Sequence, residues 1–440
     1  MTHPAQSAQP GLTITDVRLT PVLVADPPLL NTQGVHQPYT PRLIIEVVTE
    51  GGATGLGETY GDSKYLALAE PLARRLVGRQ VYDLNAVMSL ADAVAVNPGD
   101  AGAAGALDVG GLRGVQTADK LRLSVASGFE VACLDALGHA LGLPVHALLG
   151  GKLRDSVEYS AYLFYKYGAH PEGVPAQPDD WGPALDPEGV VRQARMFSER
   201  YGFSSFKLKG GVFPPDEEIA AVRALAAAFP GQPLRLDPNG AWSVETSVRV
   251  AEELGDVLEY LEDPSLGTPA MAEVAARTGI PLATNMCVTT FGEIAPAFTS
   301  GAVQVVLSDH HYWGGLRNTQ KLASVCETFG VGVSMHSNTH LGISLAAMSH
   351  VAATVPNLHH ACDSHYPWQS EDVLTERITF TDGRVTVGDA PGLGVELDRD
   401  RLAALHRRWL DDDGRMRDRD DAAAMRVTDP DWTTPSIPRW

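Results

Sequence analysis

After Lys152 the chain settles into a rhythm that few architectures can accommodate: apolar, β-rich runs alternate with amphipathic helical stretches. The runs end near Tyr162, Lys209, Asp237, Glu262, Asn285, Asp309, His336 and Asp363. Helix-start signals separate them, such as Asp186-Pro187 before 190–201 and Pro214-Pro215-Asp216 before 219–228. Such alternation requires a parallel sheet, and eight uninterrupted units favour a closed (β/α)8-type barrel over an open doubly wound sheet. An open sheet binding a nucleotide would also want a glycine fingerprint after its first strand, and there is none.

Upstream, residues 12–140 read as an α+β module, with strands over 14–24 and 42–48, a Gly-Gly turn, and helical periodicity over 63–76 and 124–141. The barrel is expected over 141–397. Residues 1–11 are expected to be a disordered tail, 100–114 a mobile loop because glycine and alanine crowd it, and 398–440 a helix and tail that fold back. A chain of 440 residues that is 44% hydrophobic and 20% charged is long enough for one large domain and a smaller one. Its net charge of −20 argues against nucleic acid or an anionic membrane as partner, so any anionic ligand needs a local positive site. Four widely spaced cysteines, Cys133, Cys287, Cys326 and Cys362, read as reduced buried thiols. With no basic start followed by an apolar run, and no long apolar segment, the expected location is the cytoplasm.

In barrels of this type the C-terminal strand ends form the active-site face, and here nearly every strand end carries reactive chemistry. Lys207 and Lys209 in Phe206-Lys207-Leu208-Lys209-Gly210 lie two apart and point to one side, where each ammonium would disfavour the charge of the other and free one as a base. Taken alone, this string more often marks the wet face of an edge strand. Asp237 with Asn239, then Glu262, then Asn285 end three consecutive strands and offer hard oxygen donors suited to Mg²⁺. Singly, each is as readily a helix cap or turn residue. Asp309 and His336 lie on neighbouring strands, close enough for the carboxylate to orient the imidazole and raise its basicity. A metal flanked by two bases is the arrangement for removing a proton α to a carboxylate.

With these residues in place, the chain resembles the enolase superfamily and, within it, the glucarate dehydratase family, whose sites pair a Lys or His base with Mg²⁺. The likeness runs through Phe206-Lys207-Leu208-Lys209-Gly210-Gly211-Val212, Leu236-Asp237-Pro238-Asn239-Gly240-Ala241-Trp242, Glu262-Asp263-Pro264, Ala283-Thr284-Asn285-Met286 and His336-Ser337-Asn338. It implies that 12–140 caps the barrel and that 398–440 returns to the cap and the site. It also implies Asp237, Glu262 and Asn285 as Mg²⁺ ligands, Lys209 as one base, and His336 with Asp309 as the other. Lys207 and Asn239 join the catalytic group, Lys207 holding the substrate carboxylate and lowering the pKa of Lys209. Implied substrate contacts are Asn31, His36, Thr117, Tyr162, Lys207, Asn285, Ser337, Asn338, His365 and Arg419. Arg419 would otherwise read as a solvated charge in an acidic tail; the resemblance makes it a clamp for the distal carboxylate.

The implied reaction is Mg²⁺-dependent dehydration of the sugar diacid D-glucarate, and of L-idarate through the opposite base, to 5-dehydro-4-deoxyglucarate. The implied partners are a small aldarate substrate and further copies of the chain in a homo-oligomer. Rival readings within the fold are a galactarate dehydratase, an acid-sugar epimerase, or a weakly catalytic diacid-binding paralogue. The chain departs from the family pattern in placing His310 where proline commonly follows the dyad aspartate, and Gly342 where a more polar residue is usual.

Overall fold

The computed structural model describes residues 11–94, 108–111, 114–171 and 179–440. The expected tail over 1–11 lies almost wholly outside these residues, as does most of the expected loop over 100–114. Within that loop, Asp108–Gly111 pairs with Gly114–Gln116 as a small antiparallel sheet. Regular structure was not expected there. Ladder bonds come from the backbone and need no side chains, and a register shift between Asp108 and Gly111 takes up the irregularity.

Among the described residues the N-terminal part is built on an antiparallel sheet of Ile14–Ala25, Tyr39–Thr49 and Thr54–Tyr60, with Tyr39–Thr49 in the middle. The helix Ala118–Leu141 lies on this sheet. Thr117 caps its start by accepting from Lys120 N at 3.0 Å, and Gly142 ends it at φ 67°. A Cβ at Gly55 or Gly57 would run into the helix backbone at Ala132 and Gly128, so these two glycines allow sheet and helix to approach.

The barrel follows as eight parallel strands among the described residues: Ser156–Phe164, Phe206–Lys209, Leu234–Asp237, Leu258–Glu262, Leu282–Thr284, Val305–Ser308, Gly332–Met335 and Cys362–Ser364. Through the first seven, each strand pairs with the next, and the eighth pairs back onto the first. The seam between the seventh and eighth is joined by a parallel bridge from Val333 to Leu358 and by Ser334 Oγ donating to Ala361 O at 2.9 Å. The sheet therefore curls into a (β/α)8-type barrel with an N-terminal α+β capping domain.

Register fixes which side chains meet at the mouth. Tyr162 aligns with Lys207 and Lys207 with Arg235; two residues on, Phe164 aligns with Lys209 and Lys209 with Asp237. Crossover helices start where the sequence signals them, with Asp186 accepting from Gly189 N at 2.7 Å and Thr290 with Glu293 forming a capping box.

The C-terminal segment runs back over the molecule. Helix Arg399–Asp411 lies along Ile14–Ala25, with His406 Nδ1 donating to Pro21 O at 2.7 Å and Arg408 to Leu23 O at 3.0 Å. Helix Asp421–Thr428 packs against Gly34–Val35. The last residues reach the loop after the third barrel strand, where Arg439 N donates to Ala241 O at 2.7 Å. The four cysteines are free thiols, and no described helix is long and apolar enough to cross a membrane.

Candidate active site

At the C-terminal end of the second barrel strand, Lys207 and Lys209 are both buried. Lys207 Nζ lies 2.6 Å from Asp363 Oδ2, 2.5 Å from Glu262 Oε2 and 3.5 Å from Asp237 Oδ2. Lys209 Nζ donates to Asp237 Oδ2 at 2.6 Å and to Asn239 Oδ1 at 2.7 Å. The ring of Tyr162 lies below both ammoniums, at 4.8 and 5.8 Å. Sequence reasoning had the two charges weakening each other, and the structure corrects this. Burial does disfavour both ammoniums, but Asp363, Glu262 and Asp237 outweigh it and hold Lys207 well above the usual lysine range. Asp237 does the same for Lys209. Repulsion between the lysines is the smaller effect while the carboxylates face them.

Asp237, Glu262 and Asn285 meet at one corner of this cluster. Asn285 Nδ2 donates to Glu262 Oε1 at 3.0 Å, and Asp237 Oδ1 accepts from Asn239 N at 3.0 Å. Burial and the neighbouring Asp237 push the Glu262 carboxyl well above its ordinary value, whereas burial of Asp237 is more than offset by Lys209 and Lys207. Glu262 Oε2 is within ion-pair distance of Lys207 yet makes no hydrogen bond. An all-oxygen donor set with an under-satisfied buried carboxylate fits Mg²⁺. Asp263 steadies the corner from behind by accepting from Thr284 Oγ1 at 2.5 Å and from Asn285 N at 2.8 Å. Asn239 at φ 54° and Asp263 at φ 36° both adopt the left-handed backbone that side chains rarely take, as does Thr339 at φ 49°. These three sit at the barrel mouth; the fourth such residue described, Asp382, lies in the turn bridged by Thr381 and Arg384.

Across the mouth, His336 Nδ1 faces Asp309 Oδ2 at 3.2 Å. That contact places the hydrogen on Nδ1 and leaves Nε2 as the proton acceptor. The sequence suggested that Asp309 would raise the basicity of His336. In the folded chain burial wins over the Asp309 bond, and His336 titrates below its ordinary 6.5. His336 is thus a neutral base at neutral pH. The same aspartate accepts from His311 N at 2.9 Å and faces His311 Nδ1 at 2.9 Å, and His340 Nε2 stands 3.5 Å from it. The capping domain closes this side: Glu58, paired with Arg42 at 2.7 Å, accepts from Leu341 N and Ser344 N at 2.9 Å each. Those N–H groups open helix Gly342–Thr354, so a carboxylate of the cap tethers the loop that carries His336.

The remaining implied contacts gather on a third side. Arg419 donates to Asp421 at 3.0 Å, Thr40 at 3.0 Å and Asp26 at 3.3 Å. Asp26 also receives His36 Nδ1 at 3.1 Å and His365 Nε2 at 3.4 Å, while Asn31 Nδ2 donates to Asp421 at 2.8 Å. Burial would raise the Asp26 carboxyl, but His36 and its other partners bring it well below the carboxylate range. His365 N donates to Ser337 Oγ at 3.2 Å, joining this group to the His336 loop, and Asn338 Nδ2 reaches Tyr312 Oη at 3.4 Å. Thr117 is the exception: it is exposed, and its hydroxyl is engaged as a helix cap. Lys120, one turn on, is buried with Nζ 3.7 Å from the Tyr312 ring centroid, and Tyr312 in turn stacks on His336.

Sequence reasoning passed over Asp26, Lys120, Asp263, Asp363 and Asp421. Two of them had a signal, Asp363 because it ends the eighth run and Asp263 because it follows Glu262 at a strand end; Asp26, Lys120 and Asp421 depend on packing between segments far apart in the chain.

The capped barrel with this polar mouth matches known proteins over both of its parts. Residues 14–150 match the Mandelate racemase / muconate lactonizing enzyme, N-terminal domain family, and residues 189–401 match Enolase C-terminal domain-like. The chain is 80% identical to a probable glucarate dehydratase of Streptomyces coelicolor, over 98% of this chain and 99% of that one. A crystal structure of an enolase from Mycobacterium smegmatis complexed with tartrate is 54% identical, covering 99% of this chain and 100% of its own, with a TM-score of 0.90. An enolase from Pseudomonas fluorescens with bound magnesium, potassium and tartrate is 49% identical over 97% of this chain and 99% of its own, with a TM-score of 0.92. These define an enzyme of the enolase superfamily. Within it, the chain belongs to the glucarate dehydratase family.

Proposed function

We propose that this enzyme dehydrates D-glucarate with Mg²⁺ as its cofactor. The observation that carries the reading is the meeting of an all-oxygen corner, Asp237, Glu262 and Asn285, with Lys207 and Lys209 at one barrel mouth that also holds a neutral His336. The family likeness supports it, as do the two related structures that hold tartrate, itself a small hydroxy diacid, one of them with magnesium.

Bound at the oxygen corner, Mg²⁺ would supply the positive charge that offsets the negative charge developing on the substrate carboxylate as its α-proton leaves. Lys207 binds that carboxylate and Tyr162 excludes water beneath it. His336 Nε2 takes the α-proton, while Asp309 fixes the tautomer and accommodates the imidazolium that results. Loss of hydroxide from the next carbon gives an enol that tautomerises to the 2-keto product. Arg419, held between Asp26 and Asp421, grips the distal carboxylate together with His36, Asn31 and His365. Lys209, on the opposite side, serves the epimer L-idarate once Asp237 is engaged elsewhere and no longer holds its proton.

A screen of sugar diacids for 2-keto product, with and without chelator, tests the proposal. D-Glucarate should turn over fastest and chelation should abolish turnover. Preference for galactarate, or turnover indifferent to chelator, would contradict it.

A further inference from the structure

Asp309 also lies at the centre of a second constellation, whose histidines the proposed dehydration does not use. His311 Nδ1 is 2.9 Å from Asp309 Oδ1 and His340 Nε2 is 3.5 Å from Asp309 Oδ2, and these ligand-type atoms all lie within 4.8 Å of one another. All three side chains are buried.

Hydrogen accounting at His311 shows what this pocket lacks. Its Nε2 faces Glu58 O at 3.1 Å, an acceptor with no proton to give, so Nε2 carries the hydrogen. Ser344 Oγ also lies 3.2 Å from Nε2. Nδ1 of a neutral His311 therefore turns a lone pair toward the Asp309 carboxylate, a contact that only a proton or a metal cation between them makes favourable. A ring whose far N–H is anchored to a backbone carbonyl is also how metal-binding imidazoles are usually oriented. His340 is an independent sign. Both of its ring nitrogens are buried and within no normal hydrogen-bond distance of a partner among the described residues, Nε2 standing 3.5 Å from Asp309 Oδ2. His310, whose Nδ1 also lacks a partner, packs its ring 4.1 Å from His311 and 5.5 Å from His340. Arg42 and Glu58 neutralise each other as a pair.

We propose that His311 Nδ1, His340 Nε2 and Asp309 form a binding site for a divalent transition cation of the Zn²⁺ or Co²⁺ class. Two imidazoles and a carboxylate select such ions over Mg²⁺, in contrast to the all-oxygen corner of Asp237, Glu262 and Asn285. The chain thus carries two cation positions of different chemistry. If His336 is the base, as proposed above, a cation here competes with it for Asp309; the binding itself does not depend on that reading.

Co²⁺ titration of the full chain in excess Mg²⁺ tests the site through visible ligand-field absorption. One Co²⁺ per chain should bind with Mg²⁺ present, and His340→Ala should weaken that binding at least ~10-fold, the lower end of what losing even an outer partner costs. Asp237→Asn should leave it in place. Crystals of the unaltered chain soaked in Co²⁺ give a second readout that does not depend on a variant folding, with an anomalous peak expected between His311 and His340. Co²⁺ fully displaced by Mg²⁺, binding unchanged in His340→Ala, or a peak elsewhere would overturn the proposal, leaving a proton alone between His311 and Asp309.

Discussion

Lys207 Nζ stands among Asp237, Glu262 and Asp363 with no exposure to solvent, so its ammonium is structural as well as chemical. Lys207→Met leaves buried carboxylates uncompensated and should cost about 3–5 kcal/mol in urea unfolding without metal. Added Mg²⁺ should recover part of that loss, because it supplies charge to the same oxygens; equal loss with and without Mg²⁺ would count against Asp237 and Glu262 as its ligands. His336 gives a pH signature. Its pKa lies below 6.5 because it is buried, and only the neutral ring accepts a proton. The acid limb of kcat/KM should therefore rise through a value below 6.5 and be flat at neutral pH, and an inflection above 6.5 would show that Asp309 prevails over burial. The residue types and the strand-end positions of this site could be read from sequence. The protonation states could not, because they depend on carboxylates that the fold brings in from other strands.

Helices and strands carry the next level of the account. Glu130, on helix Ala118–Leu141, accepts from Leu316 N at 2.6 Å at the start of helix Leu316–Phe329, tying cap to barrel. Burial pushes its carboxyl from 4.5 up to about 7, against the pull of Arg317 and the Leu316 N–H. The folded state thus binds this proton more tightly than the unfolded chain. The associated stability is complete below pH 4.5 and lost as pH rises to about 7, at about 1.4 kcal/mol per pH unit. Comparing unfolding free energies at pH 5 and pH 8, Glu130→Gln should remove a decline of about 3 kcal/mol; an unchanged decline would contradict the assignment. Barrel elements were legible because strand and helix periods differ and because Asp186-Pro187 and Pro214-Pro215 mark helix starts. In the cap, strand Thr54–Tyr60 and helix Leu84–Ala93 were not legible. The strand holds Gly55 and Gly57, which weaken its β signal, and their purpose appears only once the long helix is packed against them.

At the scale of the whole molecule, two pieces distant in sequence, the cap and the returning C-terminal segment, meet at the proposed site. Arg419 comes from that segment, and its guanidinium is bridged to Asp26 of the cap and to Asp421. Arg419→Lys loses the planar fork, so KM for the diacid should rise at least about 10-fold while kcat falls much less; a change in kcat alone would place Arg419 outside substrate binding. Sequence patterns do not show such convergence, since an arginine in an acidic tail looks the same whether solvated or folded back. The most direct measurement is reaction in ²H₂O with Mg²⁺, following both product and solvent exchange at the α-carbon. Unaltered enzyme should convert D-glucarate to the 2-keto product. His336→Ala should abolish both turnover and exchange with D-glucarate, yet still exchange the α-proton of L-idarate through Lys209. Exchange or epimer formation without 2-keto product, or D-glucarate turnover that survives His336→Ala, would contradict the account.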